Sequence, residues 1–383
     1  MTSRSRLWVL AISTPIIAFA VIGGYLGRVL AKDDTFQHLR VFDDVVSLVL
    51  NNYVEEVDVR QAMRGAMKGL ADGLDPDSAF LTQDLVKAAE ANAPAGPADV
   101  GVVLMRQYYL RIVAVRDGSS AAKAGLRSGD FIRAIDARPT RDMSGFEGDR
   151  LLQGPAGSSV RLLIIRGNAA EPHEVTVVRE RPAGSDMASR MANPTTGYVK
   201  VSEFTPETAG TLREALEALA KTGATRYVID LRGTARGDLD HGLAAARLFV
   251  KAGTLTVRQS KDQRDVVSAA APDGMIAAPV TLVVGRGTSG AAEVFAAALD
   301  GNDRAELVGE RTVGRAARQR LIKLPDGSGL LLSTVRYLTP KSVSIHERGL
   351  EPDVEVREPE VEFGAAPPAG DPALDRALQR AAG

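Results

Sequence analysis

Val280-Thr-Leu-Val-Val-Gly285-Arg-Gly-Thr-Ser-Gly290-Ala-Ala-Glu293 is the stretch on which the reading of the fold turns. Its first five residues form a short apolar run rich in β-branched side chains, the signature of a buried strand. A glycine-rich turn then hands over to a helix predicted from about Ala291 to Leu299. The unit repeats upstream. Tyr198-Val-Lys-Val201 reads as a strand, and Thr205-Pro206 opens a helix with Leu212, Ala215, Leu216 and Leu219 on one face, closed by Gly223. Arg226 to Leu231 is the next strand, and about Leu239 to Val250 the next helix. Alternation of this kind predicts a βαβ core with a mostly parallel sheet. Chemistry in such sheets collects at the carboxyl ends of the strands, here the loops Arg232 to Asp238 and Gly285 to Gly290. Downstream, Gln319 to Leu324 and Leu330 to Leu338 flank Pro325-Asp-Gly-Ser-Gly329, a hairpin signal.

Further upstream the period changes. Leu110 to Val115, Phe131 to Ile135, Val160 to Ile165 and Val175 to Val178 read as strands, with short helices over Ser120 to Gly125 and Gly145 to Leu152. Between Phe36 and Ala91 the pattern is helical: Val41, Val45, Val46, Leu48 and Leu50 make one stripe, and Ala62, Met63, Ala66, Met67 and Leu70 a second. Gly73-Leu-Asp-Pro-Asp77 reads as a helix stop and Ala91 to Ala98 as a linker. Before all of this, Leu7 to Gly27 runs without a charge, about 31 Å of helix at 1.5 Å per residue, enough to cross a bilayer. The fold expected is therefore α/β and multidomain. Its segments are a short tail (1–6), a transmembrane anchor (7–30), a helical segment (34–92), a small β domain (98–182), the α/β core (183–360) and a C-terminal tail (361–383). The anchor predicts a chain whose bulk is exported, periplasmic or extracytoplasmic. A signal peptide cleaved near Ala31 is the competing reading and leads to the same compartment.

Lys+Arg number 47 against 48 Asp+Glu, a net charge of -1, so no long-range field favours nucleic acid. The absence of cysteine removes thiolate metal sites, disulfides and cysteine nucleophiles. Four scattered histidines offer no pair at metal-ligand spacing, so neither a metal nor any other cofactor is expected.

Ser119-Ser-Ala-Ala-Lys-Ala-Gly-Leu-Arg-Ser-Gly-Asp-Phe-Ile132 resembles the central stretch of a bacterial PDZ domain. That resemblance implies capture of polypeptide C-terminal tails by strand addition, with the loop Asp99-Val100-Gly101-Val102, and Val103 after it, as the carboxylate-holding segment. A small β domain that binds nothing is the alternative. The larger order of segments is similar to that of the C-terminal processing (tail-specific) serine peptidases. So are Asp230-Leu-Arg232, Leu307 to Thr312, Asp326-Gly-Ser-Gly329, Tyr337-Leu-Thr-Pro340 and Ser344 to Asp353. In that family a nucleophilic serine lies three residues before a glutamate, and a lysine base follows 25 residues later between glycines.

Anchored on Glu293, the resemblance places the nucleophile at Gly290 and the base at Arg315, with the family's glutamine retained as Gln319. Arg236 stands where the loop contributing to the oxyanion hole usually has a glycine, and Gly237 follows it. A glycine has no atom with which to attack. A guanidinium of pKa about 13.8 leaves about one neutral molecule in a million near neutral pH. The expectation is a pseudoenzyme that binds tails without cutting them. An active peptidase using a displaced Ser289, with His241 and Asp238 or Asp240 as base and orienter, is the alternative. Thr288 or Ser289 can instead cap the helix. Arg236 and Arg315 can make a cationic cleft for a peptide carboxylate, or Arg315 can pair with Glu293 or another acid and close it. The partners expected are tails, the membrane through residues 7–30, and a second copy or an active paralogue. Gln153 stands where the family often has an arginine, which puts coupling between tail binding and activation in doubt.

Overall fold

The computed structural model describes residues 37–91, 94–167, 171–182, 187–365, 368 and 370–382. The apolar stretch read as an anchor, residues 7–30, lies outside them. Among the described residues no helix is long and apolar enough to cross a membrane. The chain divides into two units, 1–67 and 68–383. The first contains helix α1, described from 37 to 52, and the start of α2 (Val59–Asp72). The two apolar stripes read from the sequence are there, but Leu39, Val41, Phe42, Val45 and Leu48 are exposed.

The second unit opens with the end of α2, followed by a short strand β1 (Ala79–Leu81) and helix α3 (Gln83–Glu90). A small antiparallel domain follows: β2 (Val102–Gln107), β3 (Tyr109–Val115), α4 (Ser120–Lys123), β4 (Phe131–Ile135), β5 (Arg138–Pro139), α5 (Gly145–Leu152), β6 (Ser159–Ile165) and β7 (His173–Val178). Its sheet runs β2-β3-β4-β6-β7, so β2 is an edge strand. Ser119 and Ser144 cap α4 and α5 by accepting from the N–H groups of Ala122 and Glu147, satisfying donors the helix itself cannot. Leu110, Ile112, Ile132, Leu162 and Ile164 fill the space beneath. Gly148 lets α5 lie close on this core, because a methyl group there would meet Leu110 Cδ1 at 2.3 Å. Of the segment read as a carboxylate loop, Val102 and Val103 belong to β2, and Gly101 turns into it at φ 86°.

The core follows as β8 (Met187–Asn193), β9 (Thr196–Val201), α6 (Thr208–Lys221), β10 (Arg226–Asp230), α7 (Leu239–Ala246), β11 (Gly253–Gln259), β12 (Arg264–Ala269), β13 (Val280–Val284), α8 (Ala291–Asp300), β14 (Ala305–Gly309), β15 (Ala317–Lys323), β16 (Gly329–Leu338), β17 (Val354–Glu355) and α9 (Pro372–Ala382). One sheet has the order β17-β14-β13-β10-β9-β8, parallel throughout except where β8 pairs with β9. A second, antiparallel sheet joins β1, β16, β11 and β12, with the expected hairpin β15–β16 attached. Helices α6, α7 and α8 bury Leu212, Leu216, Leu243, Val294 and Phe295 against one face of the parallel sheet. Val228, Val283 and Val308 look out from the other face and are covered by Ala373 and Ala377 of α9. The segment read as a tail thus supplies part of the core's second layer.

Candidate functional site

At the carboxyl end of β13 the chain must turn sharply into α8, and two side chains fix that corner. Thr288, fully buried, accepts from the Gly285 N–H at 3.0 Å and donates to the Leu231 carbonyl at 2.9 Å, tying the turn to the end of β10. It does not cap the helix. The N-cap is Gly290, and no side chain caps α8 there. Ser289 is 1% exposed, with its backbone N–H given to Thr234 O at 2.9 Å.

Gly290 itself has φ 65° and ψ −119°, a conformation that L side chains adopt only under strain, as at the exposed corner that presents a nucleophile in serine hydrolases. A Cβ built on it would meet nothing nearer than Arg315 O and Leu239 Cδ2, both at 4.0 Å. The space for a side chain is therefore open.

Glu293 brings the two key positions together. Its carboxylate is fully buried and accepts from the N–H groups of Gly290 at 3.0 Å and Arg315 at 2.8 Å on one oxygen. The other oxygen accepts from Gly314 N–H at 2.6 Å and the Thr312 hydroxyl at 2.5 Å. Positions 290 and 315 are neighbours because they share one acceptor. Burial pushes the Glu293 carboxyl up, and these four donors work against that shift.

Groups outside the corner hold the Arg315 side chain. It forks onto Asp77, with Nη2 at 2.7 Å and Nε at 3.1 Å, and Nη1 donates to Leu104 O at 3.3 Å. Burial lowers the guanidinium's pKa, but Asp77, Asp149 and Glu293 outweigh it and hold Arg315 above the ordinary arginine value. Arg236 is likewise engaged, donating to Asp99 at 3.2 Å and to Val102 O at 3.0 Å. Neither arginine stands free in a cationic cleft. Of the two fates open to Arg315, pairing with an acid is the one observed, although the acid is Asp77 and Glu293 takes only its backbone N–H. Gly237, next to Arg236, has φ 116° and lies so close to Phe204 O that a Cβ would sit 2.2 Å from it.

Gln319 is half-buried at a bulge of β15. His241 turns its Nδ1 to Phe204 O at 3.2 Å. Asp240 is held by Arg258, Arg318 and the Tyr337 hydroxyl, and Asp238 caps α7 and meets Arg318. Among the described residues no side-chain hydrogen bond joins the His241 imidazole to Asp238, Asp240 or Ser289, so the displaced triad is not assembled. Val100, Val102 and Val103 line a cavity of 110 Å³ with Asp99, Asp149, Leu152, Gln153 and Arg236. Gln153, which lines this cavity, accepts from the Ala95 N–H at 2.7 Å. No group of three or more His, Asp or Glu suited to a metal occurs among the described residues.

Asp77 and Asp149 are the functional residues that sequence reasoning missed, and only the arginine at a former base position hinted that buried acids must exist. Burial pushes Asp149 up to about 6, opposed by Arg236, Arg315 and the Leu104 N–H. A carboxyl whose pKa rises on folding contributes stability that is complete below its unfolded value, near 3.8, and is lost as pH climbs through about 6. Asp149→Asn is therefore expected to stabilise the chain at pH 8 by about 1–3 kcal/mol. The gain should vanish at pH 4, as urea titrations at the two pH values will read.

The profile of peptidase family S41 matches residues 195–356, and a PDZ-domain profile matches residues 111–166. The chain is 28% identical over 335 residues to a carboxy-terminal-processing protease of Bartonella bacilliformis, covering 86% of this chain and 77% of the relative. It is 30% identical to a carboxyl-terminal-processing protease of Picosynechococcus over 76% of this chain and 71% of that one. Among solved structures, the photosystem II D1 C-terminal processing protease superposes with a TM-score of 0.69 at 28% identity, covering 80% of this chain and 84% of that one. With its PDZ module, its parallel core and the Glu293-braced corner at the end of β13, the chain belongs to peptidase family S41, among the carboxyl-terminal processing proteases.

Proposed function

We propose that this chain is a non-catalytic member of its family that binds the C-terminal tails of other polypeptides and acts on them, or on an active relative, as a scaffold or regulator. Residues 7–30 hold it to a membrane with the working domains on the exported side. The observation that carries this reading is the pair Gly290 and Arg315, which leaves no attacking atom and no proton acceptor at a corner otherwise kept in place by Glu293. Displacement of the nucleophile to Ser289 is disfavoured, because that residue is 1% exposed and, among the described residues, no side-chain hydrogen bond joins it to a base. Tail binding follows from the PDZ module, whose edge strand β2 and flanking helix α5 have the arrangement by which an extended chain adds to a sheet.

The purified full chain in detergent, mixed with unstructured polypeptides of differing tails, is expected to bind some of them. It should cleave none and take no label from a serine-directed fluorophosphonate. Turnover that Ser289→Ala abolishes would overturn the reading.

A further inference from the structure

Strand addition requires outward N–H and C=O groups on the receiving edge, and alternate residues of β2 provide them. Gly101 O receives the Arg116 N–H at 2.7 Å on the inner side. Val102 and Leu104 therefore face outward. Three of these outward groups are already taken by side chains. Val102 O accepts from Arg236 at 3.0 Å, Leu104 O accepts from Arg315 at 3.3 Å, and the Leu104 N–H is held by the Asp149 carboxyl of α5. The carboxylates of Asp99 and Asp77 pair with the two guanidinium groups, and both guanidinium groups act electrostatically on the Asp149 carboxyl. The cavity beside this edge, about 110 Å³, is lined by Asp99, Asp149 and Arg236 themselves.

We propose that the groove between β2 and α5 is a guanidinium-accepting site now filled by the core's own Arg236 and Arg315, and that the tails it admits carry an arginine or lysine near their carboxyl end. The proposal rests on the tail-binding reading and names the ligand class of that same site. A tail has to displace the resident arginines before its backbone can pair with β2. When they leave, Asp99 keeps Arg116 at 2.7 Å, but Asp149 and Asp77 lose their cations. A neutral tail leaves those carboxylates uncompensated beside a freshly covered edge, whereas a basic side chain takes over the vacated positions. Arg315, at the position of the lost base, and Arg236 in the former oxyanion loop thus supply an internal competitor for the PDZ edge.

The test is fluorescence anisotropy on the full chain in detergent. It uses pairs of labelled peptides with the same apolar last residue that differ only by arginine or glutamine at an upstream position. The arginine peptide is expected to bind about tenfold more tightly, the factor for one charge-assisted hydrogen bond. Arg236→Ala should tighten both peptides by a similar factor, and Asp149→Asn should erase the difference between them. Arg236 is about one-third exposed, so its loss does not threaten folding. Equal binding of the two peptides, or affinities that Arg236→Ala leaves unchanged, overturns the guanidinium site while tail binding stands. No binding of any tail by any of these variants overturns both.

Discussion

A chain carrying Gly290→Ser together with Arg315→Lys is expected to take the fluorophosphonate label, at a rate about 10³ or more above either single variant. The corner already has the backbone of a nucleophile-bearing turn, φ 65° and ψ −119°, with nothing nearer than 4.0 Å to obstruct a side chain. Positions 290 and 315 already share the Glu293 oxygen, so a hydroxyl and an amine introduced there start as neighbours. Serine alone has no acceptor for its proton, because deprotonating a guanidinium at neutral pH costs about 8–9 kcal/mol. Lysine alone has nothing to activate. The serine should lower stability by about 1–3 kcal/mol, since it occupies a positive φ that glycine tolerates. Asp77 competes for the new ammonium, so adding Asp77→Asn should raise the labelling rate. A well-folded double variant that stays unlabelled would show that the corner no longer holds reactive geometry.

Glu293→Ala is expected to be the most damaging single substitution in the core, with a loss of about 4 kcal/mol in denaturant titrations. One truncation leaves four donors without their acceptor: the N–H groups of Gly290, Gly314 and Arg315, and the Thr312 hydroxyl. It also opens a void beneath a helix that is buried along nearly all its length. Glu293→Gln keeps the volume and one acceptor but turns an NH₂ group toward an N–H, and should lose about half as much. A Glu293→Ala variant as stable as the parent would mean that the 312–315 loop is anchored some other way.

The sequence made the parallel sheet legible because β10 and β13 are apolar on both faces, and such runs announce themselves without partners. It did not reveal β8, β11 or β12, whose exposed positions mix charged and small residues and leave no period to read. The second sheet stayed hidden for another reason. Three residues of β1 pair with Gly329 to Leu331, far along the chain, and local pattern carries no trace of such a contact. The same limit governed the site. Counting from Glu293 located Gly290 and Arg315 together, yet the acid that Arg315 grips lies 238 residues away, in a segment that read only as a helix stop. Capping by Thr288 was expected from local chemistry, and the tertiary acceptor Leu231 O won instead.

Helix α9 has a consequence for how the molecule is made. The lid over Val228, Val283 and Val308 is synthesised after every strand it covers. As the polypeptide emerges amino end first, those valines form a sticky, unshielded ridge until Ala373 and Ala377 arrive, and the sheet's final closure waits for them. Ribosomal stalling or proteolytic nicking before residue 372 should therefore yield a species that aggregates through that ridge.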